Sequence, residues 1–190
     1  VFSIPNDFKL SIVIPVYNER ATILRLLARV AAMPISKEII IIDDGSTDGT
    51  WDELEMITIA NDVRVTRKQE NAGKGAALKT GFAMATGDIV VVQDADLEYD
   101  PRDIPGIIRP ILAGTADVVF GSRYLEKSDG DHWFHRFGNW LLTRCSNAVT
   151  GLQLTDMETC YKVFRRDVLQ SFEIEQKRFG VEPEITAKIA

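Results

Sequence analysis

Leu10-Ser11-Ile12-Val13-Ile14-Pro15-Val16 is a nearly unbroken, β-branched apolar run, and Tyr17-Asn18-Glu19 come directly after it. Such a run, without polar alternation, reads as a strand buried on both faces, the kind found in parallel sheets. It needs a covering crossover. Ile23, Leu24, Leu27 and Val30 supply apolar positions at helical spacing before Pro34 stops the pattern. The unit then repeats. Residues 38–42 read as a second buried strand, Asp48 as a cap for a helix over 50–60, 63–67 as a third strand, and Asn71-Ala72-Gly73 as the opening of a helix to 85. A strand at 89–93, a helix over 101–112 and a strand at 117–121 complete the alternation. The expected fold class is therefore α/β, with a Rossmann-like, mostly parallel central sheet and helices on both faces.

Ligands of such sheets sit beyond the carboxyl ends of the strands. The polar clusters fall there: Tyr17-Asn18-Glu19, Asp43-Asp44-Gly45-Ser46, Asp94-Ala95-Asp96 and Ser122-Arg123. After Tyr124 the style changes to a charged loop over 126–131 and then an aromatic and basic stretch, 132–140. No internal repeat or low-complexity tract interrupts the 190 residues, which read as a single domain.

Twenty-two Lys and Arg against 28 Asp and Glu leave a formal charge of −6, with no Lys/Arg run to grip a duplex, so the charge argues against nucleic acid as a partner. The two cysteines, Cys145 and Cys160, read as free thiols in a reducing, cytoplasmic setting. No apolar stretch is long enough to span a bilayer, and residues 1–30 lack the pattern of a signal peptide. The start at Val1 and the stop at Ala190 inside a helical-looking segment read as a piece of a longer protein, with any membrane anchor expected beyond Ala190.

Several familiar motifs fail. Gly73-Lys74-Gly75 lacks the earlier glycine and the following Ser or Thr of a nucleoside-triphosphate loop, and Leu78 stands where a dinucleotide fingerprint needs glycine. No G-x-S-x-G elbow occurs, and His132 and His135 lack a zinc site's paired spacing. Carboxylate chemistry remains. Alternate residues of an extended chain share a side, so Asp94, Asp96 and Glu98 are expected to face together and to suit a hard cation such as Mg²⁺ or Mn²⁺. A solvated acidic turn ended by Pro101 fits the same spacing. Asp43-Asp44 at a buried strand end need donor partners, for which a base or ribose would serve, whereas Ser46 to Thr50 fit a turn and helix cap. Arg123 and Arg136 are of the type that matches phosphate.

Taken in order, Pro15-Val16-Tyr17-Asn18-Glu19, the segment Asp43-Asp44-Gly45-Ser46-Thr47-Asp48-Gly49-Thr50, Asn71-Ala72-Gly73-Lys74-Gly75, Asp94-Ala95-Asp96, Gly121-Ser122-Arg123-Tyr124 and Thr159-Cys160-Tyr161-Lys162 resemble the inverting family 2 glycosyltransferases of GT-A fold, and within them the polyprenyl-phosphate, dolichol-phosphate type, mannosyl and glucosyl transferases. The resemblance implies a nucleotide-sugar half at 1–124 and an acceptor half at 125–190. It implies that Pro15, Tyr17, Glu19, Asp43, Asp44, Lys74 and Asp94 serve the donor nucleotide, and that Asp94, Asp96 and Glu98 hold Mg²⁺ or Mn²⁺. It places Arg123 and Arg136 at the acceptor phosphate and Asp156 near the sugar, with Asp96, Asp156 and Arg123 as the catalytic set.

The implied partners are a nucleotide-diphosphate sugar, a polyprenyl phosphate and, peripherally, the cytoplasmic face of a membrane. Asp156-Met157-Glu158-Thr159-Cys160 replaces the Asp-Pro-x-Ser-Gly common in dolichol-phosphate mannose synthases, so the sugar, mannose or glucose, stays open, as does the base, GDP or UDP. The Gln-x-x-Arg-Trp of processive synthases is absent, which favours single transfer. A soluble or protein acceptor, a nucleotidyltransferase and a non-catalytic nucleotide-sugar binding module are the competing readings. The aromatic and basic stretch with Phe134, Phe137, Trp140, Leu141 and Leu142 suits either a membrane interface or a helix that buries Phe137, Leu141 and Leu142 in the core.

Overall fold

The computed structural model describes residues 5, 7–57, 62–124 and 133–190, the side chains of 133–136 excepted. The alternation appears as β1 (Leu10–Val16), α1 (Ile23–Ala31), β2 (Lys37–Asp43), α2 (Thr50–Glu55), β3 (Val63–Arg67), α3 (Lys74–Met84) and β4 (Ile89–Val92). Two short helices, α4 (Ile104–Ile107) and α5 (Arg109–Leu112), lead to β5 (Val118–Phe120). Then come α6 (Trp133–Thr150), β6 (Lys162–Arg165), α7 (Arg166–Leu169) and α8 (Val181–Lys188).

Strand order in the six-stranded sheet is β3-β2-β1-β4-β6-β5. β1 to β4 are mutually parallel, whereas β6 runs antiparallel to both β4 and β5. The chain thus winds outward from β1 through β2 to β3 and then returns to the other side of β1 as β4. Between β1 and β4 the order reverses, which is where a crevice opens at the carboxyl ends.

Period-two alternation sorts β1 onto two cores. Leu10, Ile12, Ile14 and Val16 pack with Leu26, Leu27 and Val30 of α1, while Val13 packs with Ala77, Leu78 and Phe82 of α3 and with Val181 and Ile185 of α8. Both faces are apolar because both are covered, the reason the run reads as nearly unbroken.

Three expectations need correction. The single helix over 101–112 is a 3-10 turn at Pro101–Asp103 followed by α4 and α5, because Pro105 and Pro110 supply no N–H to an intrahelical ladder. The helix over 50–60 ends at Glu55 among the described residues, 58–61 lying outside them. A sixth strand, β6, was not expected; it comes from the second half of the chain and inserts between β4 and β5. The N-cap position of α2 falls on Gly49 and not on Asp48, which acts one residue earlier, its Oδ1 accepting from Thr50 N at 2.9 Å.

At the amino edge of the sheet one carboxylate ties the strands together. Glu38 of β2 accepts from Ser11 Oγ of β1 at 2.5 Å, Arg64 Nη2 of β3 at 2.7 Å, Thr86 N ahead of β4 at 2.7 Å and Lys9 Nζ at 3.1 Å. Burial pushes the Glu38 carboxyl up, but the hydrogen bonds from Ser11, Thr86 and Lys9 outweigh it and bring the pKa from 4.5 down to about 2. A carboxyl lowered on folding adds stability that is complete above its unfolded pKa and is lost as pH falls through the folded one. Glu38→Gln is therefore expected to lower unfolding free energy at neutral pH by roughly 2–3 kcal/mol. Its loss of stability between pH 4.5 and about 2 should be shallower than in the parent chain, as read by urea unfolding at several pH values. An unchanged acid slope would count against the clamp.

Candidate functional site

The crevice at the β1/β4 switch point is a cavity of about 410 Å³. The segments after β1, β2 and β4 and the start of α3 converge on it. From the expected donor set, Pro15, Tyr17, Glu19, Asp44, Lys74 and Asp94 line it, joined by Asp96. Asn71, Arg178 and Phe179 line it as well and were not expected.

The turn after β1 is fixed by Asn18, whose φ of 58° is a left-handed conformation that Asn tolerates better than most residues. Asn18 N donates to Ser46 Oγ at 2.9 Å, Asn18 Oδ1 accepts from Thr47 N at 2.8 Å, and Glu19 N donates to Thr50 Oγ1 at 2.9 Å. These bonds hold Tyr17 and Glu19 at the rim against the β2–α2 turn.

The adjacent aspartates divide their work. Asp43 is fully buried and off the cavity; its Oδ1 accepts from Ser46 N at 3.1 Å and its Oδ2 lies 3.5 Å from Arg67 Nε. It holds the turn from off the cavity wall, and its Oδ2, like Asp44 Oδ1, is buried without a hydrogen bond. Asp44 lines the cavity and directs Oδ2 to Ala72 N at 3.1 Å and Gly73 N at 2.6 Å, so it orders the loop that opens α3. Asp44 Oδ1 is buried without a hydrogen bond, with Lys68 Nζ 3.4 Å away.

Lys74 is tightly committed. Its Nζ lies 2.9 Å from Asp94 Oδ2 and 3.1 Å from Glu182 Oε1 of α8. Burial alone would lower its pKa, but Asp94 and Glu182 outweigh that and raise it. Glu182 pairs in turn with Lys162, only 1% exposed, which donates to Thr159 O at 2.5 Å. Four charges of alternating sign thus run from the interior to the cavity.

Cys160 lies beneath the same point, its Sγ accepting from Asp94 N at 3.0 Å. Complete burial pushes that thiol's pKa up and keeps it protonated. Both cysteines are free, as expected, with Cys145 exposed.

The expected triple carboxylate does not form. After β4 the chain leaves the extended state: Leu97 has a φ of 70°, and Glu98 N donates to Asp96 Oδ1 at 3.0 Å. The alternation that would have put Asp94, Asp96 and Glu98 on one side is broken, and no group of three His, Cys, Asp or Glu suited to a metal occurs among the described residues. Asp94 and Asp96 remain together on the cavity wall and offer hard oxygen donors, a set that fits a divalent cation; Glu98 lies outside that wall.

Arg123 and Asp156 form a second centre. Asp156, 1% exposed, accepts from Arg123 Nε at 2.8 Å, Arg123 Nη2 at 3.0 Å, Arg123 N at 3.2 Å and Asn139 Nδ2 of α6 at 2.7 Å. Burial pushes the Asp156 pKa up, and the bonds from Arg123 and Asn139 more than reverse that, so it stays ionised. The hydrogen bond to Asp156 raises Arg123 further still. Asp156 therefore sits behind Arg123, not on the cavity wall. Arg136 lies in the first turn of α6 with its side chain outside the described residues; His132, and the side chains of Phe134 and His135, lie outside them too.

α6 itself is turned about. Among its described side chains Asn139 and Thr143 are the buried ones, whereas Phe137, Trp140, Leu141 and Leu142 are each about half exposed, which overturns the alternative that buried three of them in the core. Phe137 and Trp140 stack at 5.8 Å, and Arg144 lies 5.4 Å over the Trp140 ring. No described helix is long and apolar enough to cross a membrane.

Asn71, Arg178, Phe179, Glu182 and Lys162 were missed as parts of the site. Asn71 opens the noted Asn71-Ala72-Gly73-Lys74-Gly75 segment and Lys162 ends another, but nothing local marks the other three.

Comparison with known proteins places this geometry. The dolichol-phosphate mannosyltransferase of Pyrococcus furiosus is 31% identical over 188 residues, 95% of this chain and 53% of that protein. The undecaprenyl-phosphate 4-deoxy-4-formamido-L-arabinose transferase of Aeromonas hydrophila is 35% identical over 182 residues, 90% of this chain and 54% of that one. The chain spans about half the length of these curated relatives. A crystal structure of glucosyl-3-phosphoglycerate synthase from Mycobacterium tuberculosis, in complex with Mn²⁺, UDP and phosphoglyceric acid, superposes with a TM-score of 0.70 at 27% identity, covering 93% of this chain and 62% of that one. The sheet is the GT-A arrangement expected from the sequence. With residues 11–172 matching the glycosyl transferase family 2 model, the chain belongs to that family.

Proposed function

We propose that the chain is the catalytic domain of an inverting transferase that moves a single hexose, mannose or glucose, from GDP- or UDP-sugar to a polyprenyl or dolichyl phosphate. The observation that carries this reading is the convergence of Tyr17, Glu19, Asp44, Asp94 and Asp96 on one cavity at the switch point of a family 2 sheet. Tyr17, 46% exposed at the rim, offers a ring face to the base, and the unbonded Asp44 Oδ1 offers an acceptor to a base or ribose donor. Asp94 and Asp96 would hold Mg²⁺ or Mn²⁺, which when bound supplies positive charge against that building on the leaving diphosphate. Lys74 holds Asp94 in place from behind.

The acceptor oxygen attacks the anomeric carbon from the face opposite the nucleotide; its C–O bond forms as the bond to the donor's diphosphate oxygen breaks, and the nucleoside diphosphate leaves with the electron pair. A phosphate monoester is already anionic near neutrality, so no strong base is required. That suits the locking of Asp156 onto Arg123: the carboxylate orients the guanidinium, and the two of five N–H donors engaged there leave the others for an acceptor phosphate. The outward apolar face of α6, with Arg144 beside Trp140, fits a lipid surface on the cytoplasmic side.

The soluble-acceptor reading is favoured by one observation, the similarity to glucosyl-3-phosphoglycerate synthase, and it requires product without lipid.

Incubating the chain with Mg²⁺ or Mn²⁺, mixed UDP- and GDP-hexoses and a short polyprenyl phosphate should give a hexosyl-phospholipid by mass spectrometry of the lipid phase, abolished by chelator. Product only on soluble acceptors would overturn the lipid assignment. Asp96→Asn should cut transfer by at least ~10²-fold with an unchanged circular dichroism spectrum, since an electrostatic contact made at the transition state is lost. Wild-type turnover in that variant would remove the metal role from Asp96. Trp140→Ser should weaken co-sedimentation with anionic vesicles several-fold, roughly the effect of losing one interfacial aromatic; unchanged binding would turn attention to another surface.

A further inference from the structure

One cation on the cavity wall is uncommitted. Lys74 is shared between Asp94 and Glu182, and Glu19, Asp44, Asp94 and Asp96 make the rest of the wall acidic. Arg178, on the loop before α8, lines the same cavity, and among the described residues its guanidinium has no carboxylate partner. A half-enclosed site with that balance repels a diphosphate unless positive charge faces it, and beside a metal ion on Asp94 and Asp96 the wall's own contribution is Arg178.

Arg178 is held there by a built device. The segment 176–179 crosses the amino end of α3, with Lys177 O accepting from Ala76 N at 3.0 Å. Gly73, at a φ of +96°, makes room for it: a Cβ there would stand 2.6 Å from Lys177 O and 2.7 Å from Arg178 Cγ. Gly75 meets the same segment, its absent Cβ falling against Gln176 O. Glu184 of α8 clips the loop from the far side, Oε1 accepting from Glu175 N and Oε2 from Gln176 N, both at 2.8 Å, while Lys188 holds Glu184 at 2.8 Å. The glycines flanking Lys74, which failed as a triphosphate loop, thus serve as the seat of this crossing segment.

We infer that Arg178 is a donor-binding residue, its guanidinium taking the diphosphate of the nucleotide sugar, with the Glu184-clipped loop as the wall that presents it. The inference rests on the reading of the cavity as the nucleotide-sugar site. Guanidinium geometry suits adjacent phosphate oxygens, which it can engage through two parallel N–H donors.

The test is calorimetric titration of the chain with UDP and GDP, each against its nucleoside, with Mg²⁺ and again with EDTA. Arg178→Ala should weaken the bound nucleoside diphosphate by about tenfold, the contribution of one charge-assisted contact, and leave nucleoside affinity unchanged, with the ratio persisting in EDTA. Arg178→Lys should recover part of the loss, and Glu184→Gln should reproduce part of it with Arg178 intact. Diphosphate affinity within about twofold of the parent chain in Arg178→Ala overturns the inference and leaves the donor site standing. A parent chain that binds diphosphate no better than nucleoside overturns it as well. A parent chain that binds neither diphosphate takes down the donor-site reading together with it.

Discussion

The run of alternating charge from Lys162 through Glu182 and Lys74 to Asp94 decides how the two halves of the chain fit. Lys162 comes from β6, Glu182 from α8, Lys74 from α3 and Asp94 from the end of β4. Each interior member has an oppositely charged neighbour on both sides, which is the condition under which charges this deep are tolerated. Take Glu182 away and Lys162, almost wholly buried, loses its carboxylate partner among the described residues, a defect worth about 3–5 kcal/mol in comparable buried pairs. The chain of charges therefore fixes α8 against α3, and with α8 comes the loop that carries Arg178. Asp94 receives its orientation twice, from Lys74 on its carboxylate and from Cys160 on its backbone N–H.

The two edges of the sheet use charge differently. At the amino edge Glu38 is surrounded by donors from β1, β3 and the turn before β4, a closed network with nothing left over for a ligand. At the carboxyl edge the network stays open: Asp44 Oδ1 is unbonded, Asp96 is exposed, and Arg178 has no anion among the described residues. Stability is concentrated where every group is satisfied, and binding where some are not.

How far the sequence reads through depends on the range of each interaction. β1 to β4, α1 and α3 were legible because their signals are local: apolar period and runs, turn residues and helix spacing. The β1, β2 and β4 termini were legible for the same reason, and they hold most of the cavity lining. β6 was not, since Lys162–Arg165 is short and is made a strand by its partners on β4 and β5. The carboxylate triad failed on a single torsion, the left-handed Leu97, which periodicity does not foresee. Asp43 and Asp44 look equivalent in sequence, yet neighbouring residues at a strand end point to opposite faces, so only one reaches the cavity. Arg178 and Glu182 owe their positions to the packing of α8, far along the chain from the strands they serve, and no local pattern encodes that.

The Arg123–Asp156 centre is governed by the same kind of coupling. Asp156 accepts from Arg123 on both carboxylate oxygens and from Asn139 of α6 on Oδ1, so the guanidinium and the helix share one anchor. Asn139 and Thr143 face inward because that anchor needs a polar face, and the helix is left to turn Phe137, Trp140, Leu141 and Leu142 outward. An ordinary surface helix does the reverse. The outward apolar face is thus the consequence of an inward polar one, and Arg123 does not move independently of the surface that α6 presents. Through Asn139 and Asp156 the outward face of α6 is tied to Arg123, a coupling that the proposed transfer from a nucleotide sugar to a lipid phosphate would use.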